Sequence, residues 1–485
     1  MDRNDIPDEL DLIVLGAGNA GLAAASVVRD AGRSVLVIEE RDVGGTCPLR
    51  GCVPKKVLVA VAEALDLIER AKDLSITVGP PAVDWSAVID RKESVLAGTS
   101  ASFERDLTER GIHLLHARAR FTGERSVTAA DRTFRARDVL VATGSTPRPL
   151  SLPGAEHLTS SDELLDLRAP PRSMIFVGAG VIAFELGHVF ARLGTHVTLL
   201  EVAPRPLGPF DEEAVEHLVA ATRAIGIELH TGVTLHAVEQ DDTGLRVRFT
   251  HDGTEKSLTA ERVAHGAGRI ANTAGLDLEA AGVRTERGGI VTGSPYRSAS
   301  NTAVWVAGDA VRDTPQLSPI ATTEGRLAGR AILGEDVHLD YRSIPSCVFS
   351  VPTLATVGLT ERAARDAGIA FTAKRNDMVG WKNGRSYAER HAWAKVLVGA
   401  DDRILGAHIL GHGAGEIIHP FGLAMKHGLR ASDLRSFVWA YPTFTNDAGS
   451  TVDARPASPA SSSAPPPADN SRRRRNTPHA PRRSG

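Results

Sequence analysis

The chain has 485 residues, 42% of them hydrophobic and 24% charged. That is too long for one compact core, so roughly two to four domains are expected, and the composition is that of an ordinary soluble globular protein. Three cysteines exclude a secreted disulfide framework, no apolar run approaches the roughly 20 residues of a membrane span, and the polar start MDRNDIPDEL lacks a signal-peptide core. The expectation is a cytoplasmic protein. Its formal charge of −3 is unevenly spread: residues 451–485 hold seven arginines against Asp453 and Asp469, or +5, which leaves −8 on residues 1–450. That segment, rich in Pro, Ser and Ala, reads as a disordered basic tail. The acidic body argues against nucleic acid as the main partner.

In chain order, Leu12–Leu15 reads as a short apolar strand leading into Gly16, Gly18 and Gly21 of GAGNAG. A helical pattern follows over residues 22–31, and a second strand, Ser34–Ile38, ends at Glu39. The same design recurs at Met174–Val177, then Gly178, Gly180 and Ala183, a helix through about residue 193, and a strand His196–Leu200 ending at Glu201. First glycine and terminal acid are 23 residues apart in both copies. The glycines allow a tight turn and close backbone approach to a pyrophosphate, the helix N-terminus faces its charge, and the acid accepts from ribose hydroxyls. One such loop is a weak signal; two with matched spacing indicate two dinucleotide sites.

Between the copies lies GGTCPLRGCVPKK, residues 44–56, which holds Cys47 and Cys52. Beside a bound redox cofactor, such a pair suits a disulfide that accepts and passes on two electrons. The combination points to FAD at one site and a nicotinamide nucleotide at the other. Further on, ATGSTP (Ala142 to Pro147, including Thr143 and Gly144) closes a strand at Val139–Val141 and marks a crossover. GAGRIANT, with Gly268, returns the chain, and VWVAGDA ends a buried strand at Gly308 and Asp309. From about Tyr341 the pattern becomes α+β: a strand near Cys347–Phe349, a helix at 360–367, a hairpin pairing Ala394–Val398 with Ile404–Leu410, and a helix at 414–427. Cys347 reads as a core residue, and His412 and His419 as capping or surface residues.

These motifs, in this order, resemble the class I pyridine nucleotide–disulfide oxidoreductases, the flavoproteins of the glutathione reductase, dihydrolipoamide dehydrogenase and mercuric reductase type. The resemblance covers roughly residues 8–450. It implies an α/β fold: two Rossmann-like dinucleotide-binding domains plus a C-terminal α+β interface domain. The expected divisions are an FAD domain in two pieces (8–165 and 286–340), an inserted NAD(P) domain (166–285), an interface domain (341–452) that makes a homodimer, and the tail (453–485). By the same resemblance Cys52 is the charge-transfer cysteine and Cys47 the interchange cysteine. Lys56 sits by the flavin and pairs with Glu185, Thr46 lies by the flavin, and Asp309 binds the ribityl chain. A helix N-terminus after Gly45–Thr46 would favour an ionised thiol, and Pro48 with Gly51 would supply the distortion that lets the two cysteines meet. Glu201 favours NADH over NADPH, because a carboxylate accepts both ribose hydroxyls and repels a 2′-phosphate, while EVAPRP offers only Arg205 nearby. No metal site is expected.

The chain departs from the resemblance near its C-terminus. Well-known relatives carry HPTxxE, with histidine as acid–base and glutamate orienting it; here the residues are Tyr441-Pro442-Thr443-Phe444-Thr445-Asn446. A phenol is a poor base at neutral pH, so Tyr441 keeps a hydrogen bond but not the proton chemistry. The reading is therefore an FAD-dependent NAD(P)H oxidoreductase that passes electrons through Cys47–Cys52 to a small-molecule acceptor, glutathione-reductase-like or dihydrolipoamide-dehydrogenase-like. A mercuric-reductase-like metal reductase or a quinone reductase is the alternative. A redox-sensing regulatory flavoprotein is the alternative of another class.

Overall fold

The structure is a computed structural model and describes residues 6–286 and 289–453; the expected disordered tail lies outside the described residues apart from Asp453. Five parallel strands form the centre of the first sheet, in the order His113–His116, Val35–Glu39, Glu9–Leu15, Arg132–Val141, Val304–Val306. Leu12 to Leu15 are all buried, as a parallel strand covered on both faces requires, which is why the sequence there is continuously apolar. The helix Asn19–Asp30 covers one face through Ala20, Ala24, Ala25 and Val28.

The second sheet repeats this topology, with parallel strands ordered Glu228–Thr231, His196–Glu201, Ser173–Val177, Arg262–His265. Both copies insert three antiparallel strands before the last parallel one. In the first, Ala119–Gly123 and Ser126–Ala129 run antiparallel onto an edge of the parallel strand Arg132–Val141, which completes the three; in the second they are Thr234–Asp241, Gly244–His251 and Thr254–Ala260. The sequence reading located neither set, and it shortened Arg132–Val141 to its last three residues. Only that end is uniformly apolar, while the rest alternates buried and exposed positions.

The C-terminal module is a five-stranded antiparallel sheet ordered Ser346–Val348, Thr353–Gly358, Ile404–Gly411, Trp393–Gly399, Phe371–Asp377. Helix Ala414–His427 lies on it through Ile417, Ile418, Phe421 and Ala424. Among the described residues no helix is long and apolar enough to cross a membrane.

One core cluster joins the parts that matter for chemistry. Leu58, Val59 and Ala62 of the helix Cys52–Arg70 share it with Ala183, Phe184, Leu186 and Phe190 of the helix Val181–Arg192, with Val348 and Leu354 of the C-terminal sheet, and with Val351 in the turn between those strands. Truncating a buried ring such as Phe184 costs about 3–5 kcal/mol, so the helix bearing Cys52 is firmly seated on the helix that starts at the second glycine loop.

Candidate active site

The two glycine loops are built alike to the level of single atoms. Gly16 and Gly178 have φ of +104° and +96°. A Cβ there would stand 2.5 Å from Ala142 O in the first copy and 2.5 Å from Gly266 O in the second, so both the turn and the close approach exclude side chains. Glu39 accepts from Ala17 N at 2.7 Å and Arg41 N at 2.8 Å; Glu201 accepts from Ala179 N at 2.7 Å and Ala203 N at 2.9 Å. Each carboxylate thus braces its own loop and keeps lone pairs for a ligand.

Gly16, Gly18, Glu39, Thr46, Thr143 and Gly144 line a cavity of ≈ 430 Å³. Gly18, Thr46 and Gly144 also reach a larger cleft of ≈ 810 Å³, which contains Gly178, Gly180, Glu201, Gly268, Gly308, Asp309, Cys47 and Cys52. Gly21 and Ala183 are buried in helix packing rather than in a cleft wall. The helices Asn19–Asp30 and Val181–Arg192 both start without a side-chain cap and without an acid in the first turn. Uncapped N–H groups at a positive helix end attract a phosphate. With the ribose-accepting carboxylates, these features fit FAD in the first loop and a nicotinamide nucleotide in the second.

The segment carrying the cysteines is a broken helix. Thr46–Arg50 ends at Gly51 (φ −144°, ψ −108°), and a new helix starts at Cys52; this is the distortion expected at Gly51. Gly45 approaches so closely that a Cβ would stand 2.7 Å from Gly18 Cα, which brings the cysteine segment to the first glycine loop. Both cysteines are free thiols. The hydrogen bond with Cys52, reinforced by Ser318 and Asn19, pulls Cys47 down to about 6. The same bond together with burial pushes Cys52 up, while the Lys55 cation opposes the rise. The shared hydrogen bond thus favours an ionised Cys47 beside a protonated Cys52 in the reduced pair. Hydrogen bonds lower it, first the Cys52 side chain, then Ser318 and Asn19, and also the Cys52 backbone N–H at the start of a helix.

The expected pairing of Lys56 with Glu185 is not found. Lys55 Nζ, not Lys56, meets Glu185 Oε1, at 2.8 Å. Lys56 is 52% exposed and pairs with Glu63 at 3.2 Å, and it lines neither cofactor cleft. Helical period explains the difference: Lys55 precedes the buried Leu58, Val59 and Ala62 on one face, and Lys56 is turned out beside Ala60 and Glu63. Glu185 also accepts from Phe349 N at 2.8 Å, and Lys55 Nζ stands 4.0 Å from the Phe349 ring centre.

At the other wall, burial raises the Asp309 carboxyl, and Ser145 and Arg269 oppose the rise. Ser145 Oγ donates to Asp309 at 2.8 Å, while Arg269 donates to Ser145 Oγ at 2.9 Å and to its carbonyl at 2.6 Å. Arg269, Ser318, Asn19 and Lys55 are the residues the sequence reading missed, although all except Ser318 sit inside motifs it had singled out. Cys347 is not simply core: it is half-buried in the wall of the same cleft, and burial raises its thiol to about 11. Tyr441 lies on the surface, 63% exposed, and takes no part in either cleft. Asn446 donates its backbone N–H to Thr443 Oγ1 at 3.1 Å, and Thr443 thereby caps the short turn Phe444–Asp447. His412 stacks on Tyr387 with ring centres 5.6 Å apart and meets the tilted Phe444 ring at 4.8 Å.

Comparison with known proteins agrees with this geometry. The family model described as pyridine nucleotide-disulphide oxidoreductase matches residues 10–325, and that family's dimerisation domain matches residues 344–450. Over 448 residues the chain is 32% identical to a glutathione reductase of Burkholderia cepacia, covering 90% of this chain and 97% of the relative. Dihydrolipoyl dehydrogenases of Staphylococcus aureus and Bacillus subtilis (strain 168) are each 30% identical, with 90% of this chain and 95% of the relative covered. The chain belongs to the pyridine nucleotide-disulphide oxidoreductase family and is an FAD-dependent enzyme that draws electrons from a nicotinamide nucleotide.

Proposed function

We propose that this enzyme uses NADH to reduce a small-molecule disulfide, with Cys47 and Cys52 as the relay and Cys47 as the group that meets the acceptor. The observation that carries the reading is the lowered Cys47 thiol, held by Cys52, Ser318 and Asn19 in the wall of the cleft that also contains both glycine loops.

Glu39, Thr46, Thr143 and Asp309 would hold FAD, with Lys55 and Glu185 beside it. Bound FAD supplies the two-electron relay between the nicotinamide and the cysteine pair. Reduction breaks the Cys47–Cys52 bond and leaves two thiols. The Cys47 thiolate then attacks one sulfur of the acceptor disulfide; its S–S bond breaks, and the first half leaves as a thiol after gaining a proton. Cys52 next gives up its proton and attacks the Cys47 sulfur, which releases the second half and restores the pair. A sulfur with its pKa near ambient pH is the best attacking group in such exchange, and Cys47 meets that condition.

Support for NADH comes from the second loop. Glu201 faces the cleft beside Val202, Ala203 and Arg205, and the Arg205 guanidinium is occupied by Phe210 O at 3.0 Å and Gly208 O at 2.6 Å. Arg205, the cation next to Glu201 in this loop, is thus held within its own loop rather than offered to a 2′-phosphate. The enzyme works as a cytoplasmic homodimer in which Tyr441 takes the place relatives give to the acid–base histidine. A steady-state panel tests the reading: NADH and NADPH, each against glutathione disulfide, lipoamide, Hg(II) and a quinone. Turnover of a disulfide with NADH, lost in Cys47→Ser, is expected; exclusive turnover of Hg(II) or the quinone, or full activity in Cys47→Ser, overturns it.

A further inference from the structure

The segment 202–210 forms one wall of the nucleotide cleft, through Val202, Ala203, Arg205, Leu207 and Phe210. It does not stand on its own. Leu207 is buried with φ of +48°, a conformation costly for a leucine, and its N–H reaches Ala179 O in the second glycine loop at 3.3 Å. Arg205 closes the segment on itself through Phe210 O and Gly208 O. What fixes its far end is the next residue, Asp211.

Asp211 is buried and is shared between two domains. Its Oδ1 caps the helix Glu212–Ala224 by accepting from Ala214 N at 3.3 Å. Its Oδ2 accepts from Glu361 N at 3.1 Å, at the start of a helix in the C-terminal domain. Lys395 Nζ, itself 2% exposed, reaches Asp211 at 2.6 Å, Glu361 at 2.8 Å and Glu213 at 3.1 Å. Arg375 completes the cluster on Glu213 and Glu361, at 2.8 and 2.7 Å, and Arg365 pairs with Glu361 as well. Three carboxylates thus face three cations. His408, 3.9 Å from Asp211, is bonded to Thr356 Oγ1 and Leu359 O, and burial holds it neutral by lowering it to about 4. At its centre Lys395, Asp211 and Glu361 are buried, and displacing any of these three strands a charge away from water; Arg375 and Arg365 close the exposed rim.

We infer that Lys395, acting through Asp211, is a positioning residue for nicotinamide-nucleotide binding: the C-terminal domain uses this ion cluster to hold the 202–210 segment, and with it the Arg205 clasp beside Glu201, in place against the cleft. The inference rests on the reading of that cleft as the nucleotide site. It predicts that nucleotide affinity depends on a lysine in another domain, while the flavin half of the site does not.

The test uses the FAD-loaded full-length enzyme. Lys395→Met combined with Asp211→Asn removes one charge of each sign and keeps an oxygen to cap the helix. Equilibrium dialysis with NAD+ and NADP+ measures affinity, and FAD content with the flavin absorbance spectrum monitors the other half. NAD+ binding is expected to weaken about tenfold, the scale of a small misplacement of a binding group, with FAD content unchanged. Arg205→Ala should weaken NAD+ comparably and add little to the double variant. If the double variant does not fold, Asp211→Asn alone should still weaken NAD+ at least about threefold. NAD+ affinity within twofold of wild type in the variants that fold, whatever their thermal stability, overturns the inference. Wild-type enzyme that binds neither dinucleotide would instead remove the cleft assignment beneath it.

Discussion

Lys55 Nζ and Glu185 Oε1, 2.8 Å apart, tie the helix that begins at Cys52 to the helix that begins at the second glycine loop. Both side chains are largely buried, with 14% and 8% exposed. The pair therefore differs in kind from Lys56–Glu63, at 52% and 42%.

That difference is measurable. Lys55→Met strands a buried carboxylate and should cost about 3–5 kcal/mol in urea unfolding, with most of it recovered when Glu185→Gln is added. Lys56→Met should stay within about 0.5 kcal/mol of wild type. Reduced enzyme carrying Lys55→Met should also show a higher Cys52 pKa, because the cation that opposes its rise is gone. Equal effects at 55 and 56 would refute the assignment.

The Cys47 thiol is depressed to about 6, so its thiolate is present above that pH and is lost by protonation below it. Alkylation of the reduced enzyme by iodoacetamide should follow a midpoint near this value. Cys52→Ala removes the largest stabilising hydrogen bond and should move the midpoint toward the ordinary thiol range of about 8.5; Ser318→Ala should shift it less. A midpoint near 8.5 in the wild type contradicts the reading.

His188 is fully buried and bonded to Val351 O at 3.0 Å and Thr222 Oγ1 at 2.9 Å, and burial lowers it from 6.5 to about 3. Between those values the unfolded chain binds a proton that the folded chain does not. The contribution is therefore complete above pH 6.5 and declines as the pH falls toward 3, at up to about 1.4 kcal/mol per pH unit. His188→Gln should lower stability at pH 7 yet flatten the loss between pH 6.5 and 4.5. An unchanged slope would mean that His188 titrates normally.

On the proposed function Tyr441 and Asn446 stand in place of an acid–base pair, so proton delivery to the departing thiol should limit disulfide turnover. Tyr441→His with Asn446→Glu is expected to raise kcat for glutathione disulfide or lipoamide by about tenfold or more, within the range for general acid–base catalysis, and more than Tyr441→His alone. No gain in the double variant would place the limit elsewhere.

The two glycine loops were legible because the chemistry repeats: strand, glycines, helix and acid recur at the same interval, and the Glu39 and Glu201 bonds reproduce it atom for atom. The cysteine segment was legible too, including its break at Gly51. Lys55 was misread as Lys56 because a motif gives residue types without their helical phase; the buried Leu58–Val59–Ala62 face would have settled it. Ser318 and Arg269 escaped because their partners, Cys47 and Asp309, lie 271 and 40 residues away. The Lys395 cluster escaped for a related reason: an isolated lysine in a strand looks solvated until four other segments close over it.

The central claim is that electrons from the nucleotide come to rest on Cys47 and Cys52. Anaerobic titration of the FAD-loaded enzyme with NADH, followed by counting thiols that react with a disulfide reagent in denaturant, tests it most directly. The account predicts two additional thiols per FAD after reduction, three in all with Cys347, and none gained in Cys47→Ser or Cys52→Ser. Reduction that ends after two electrons with no new thiols in the wild type would contradict it.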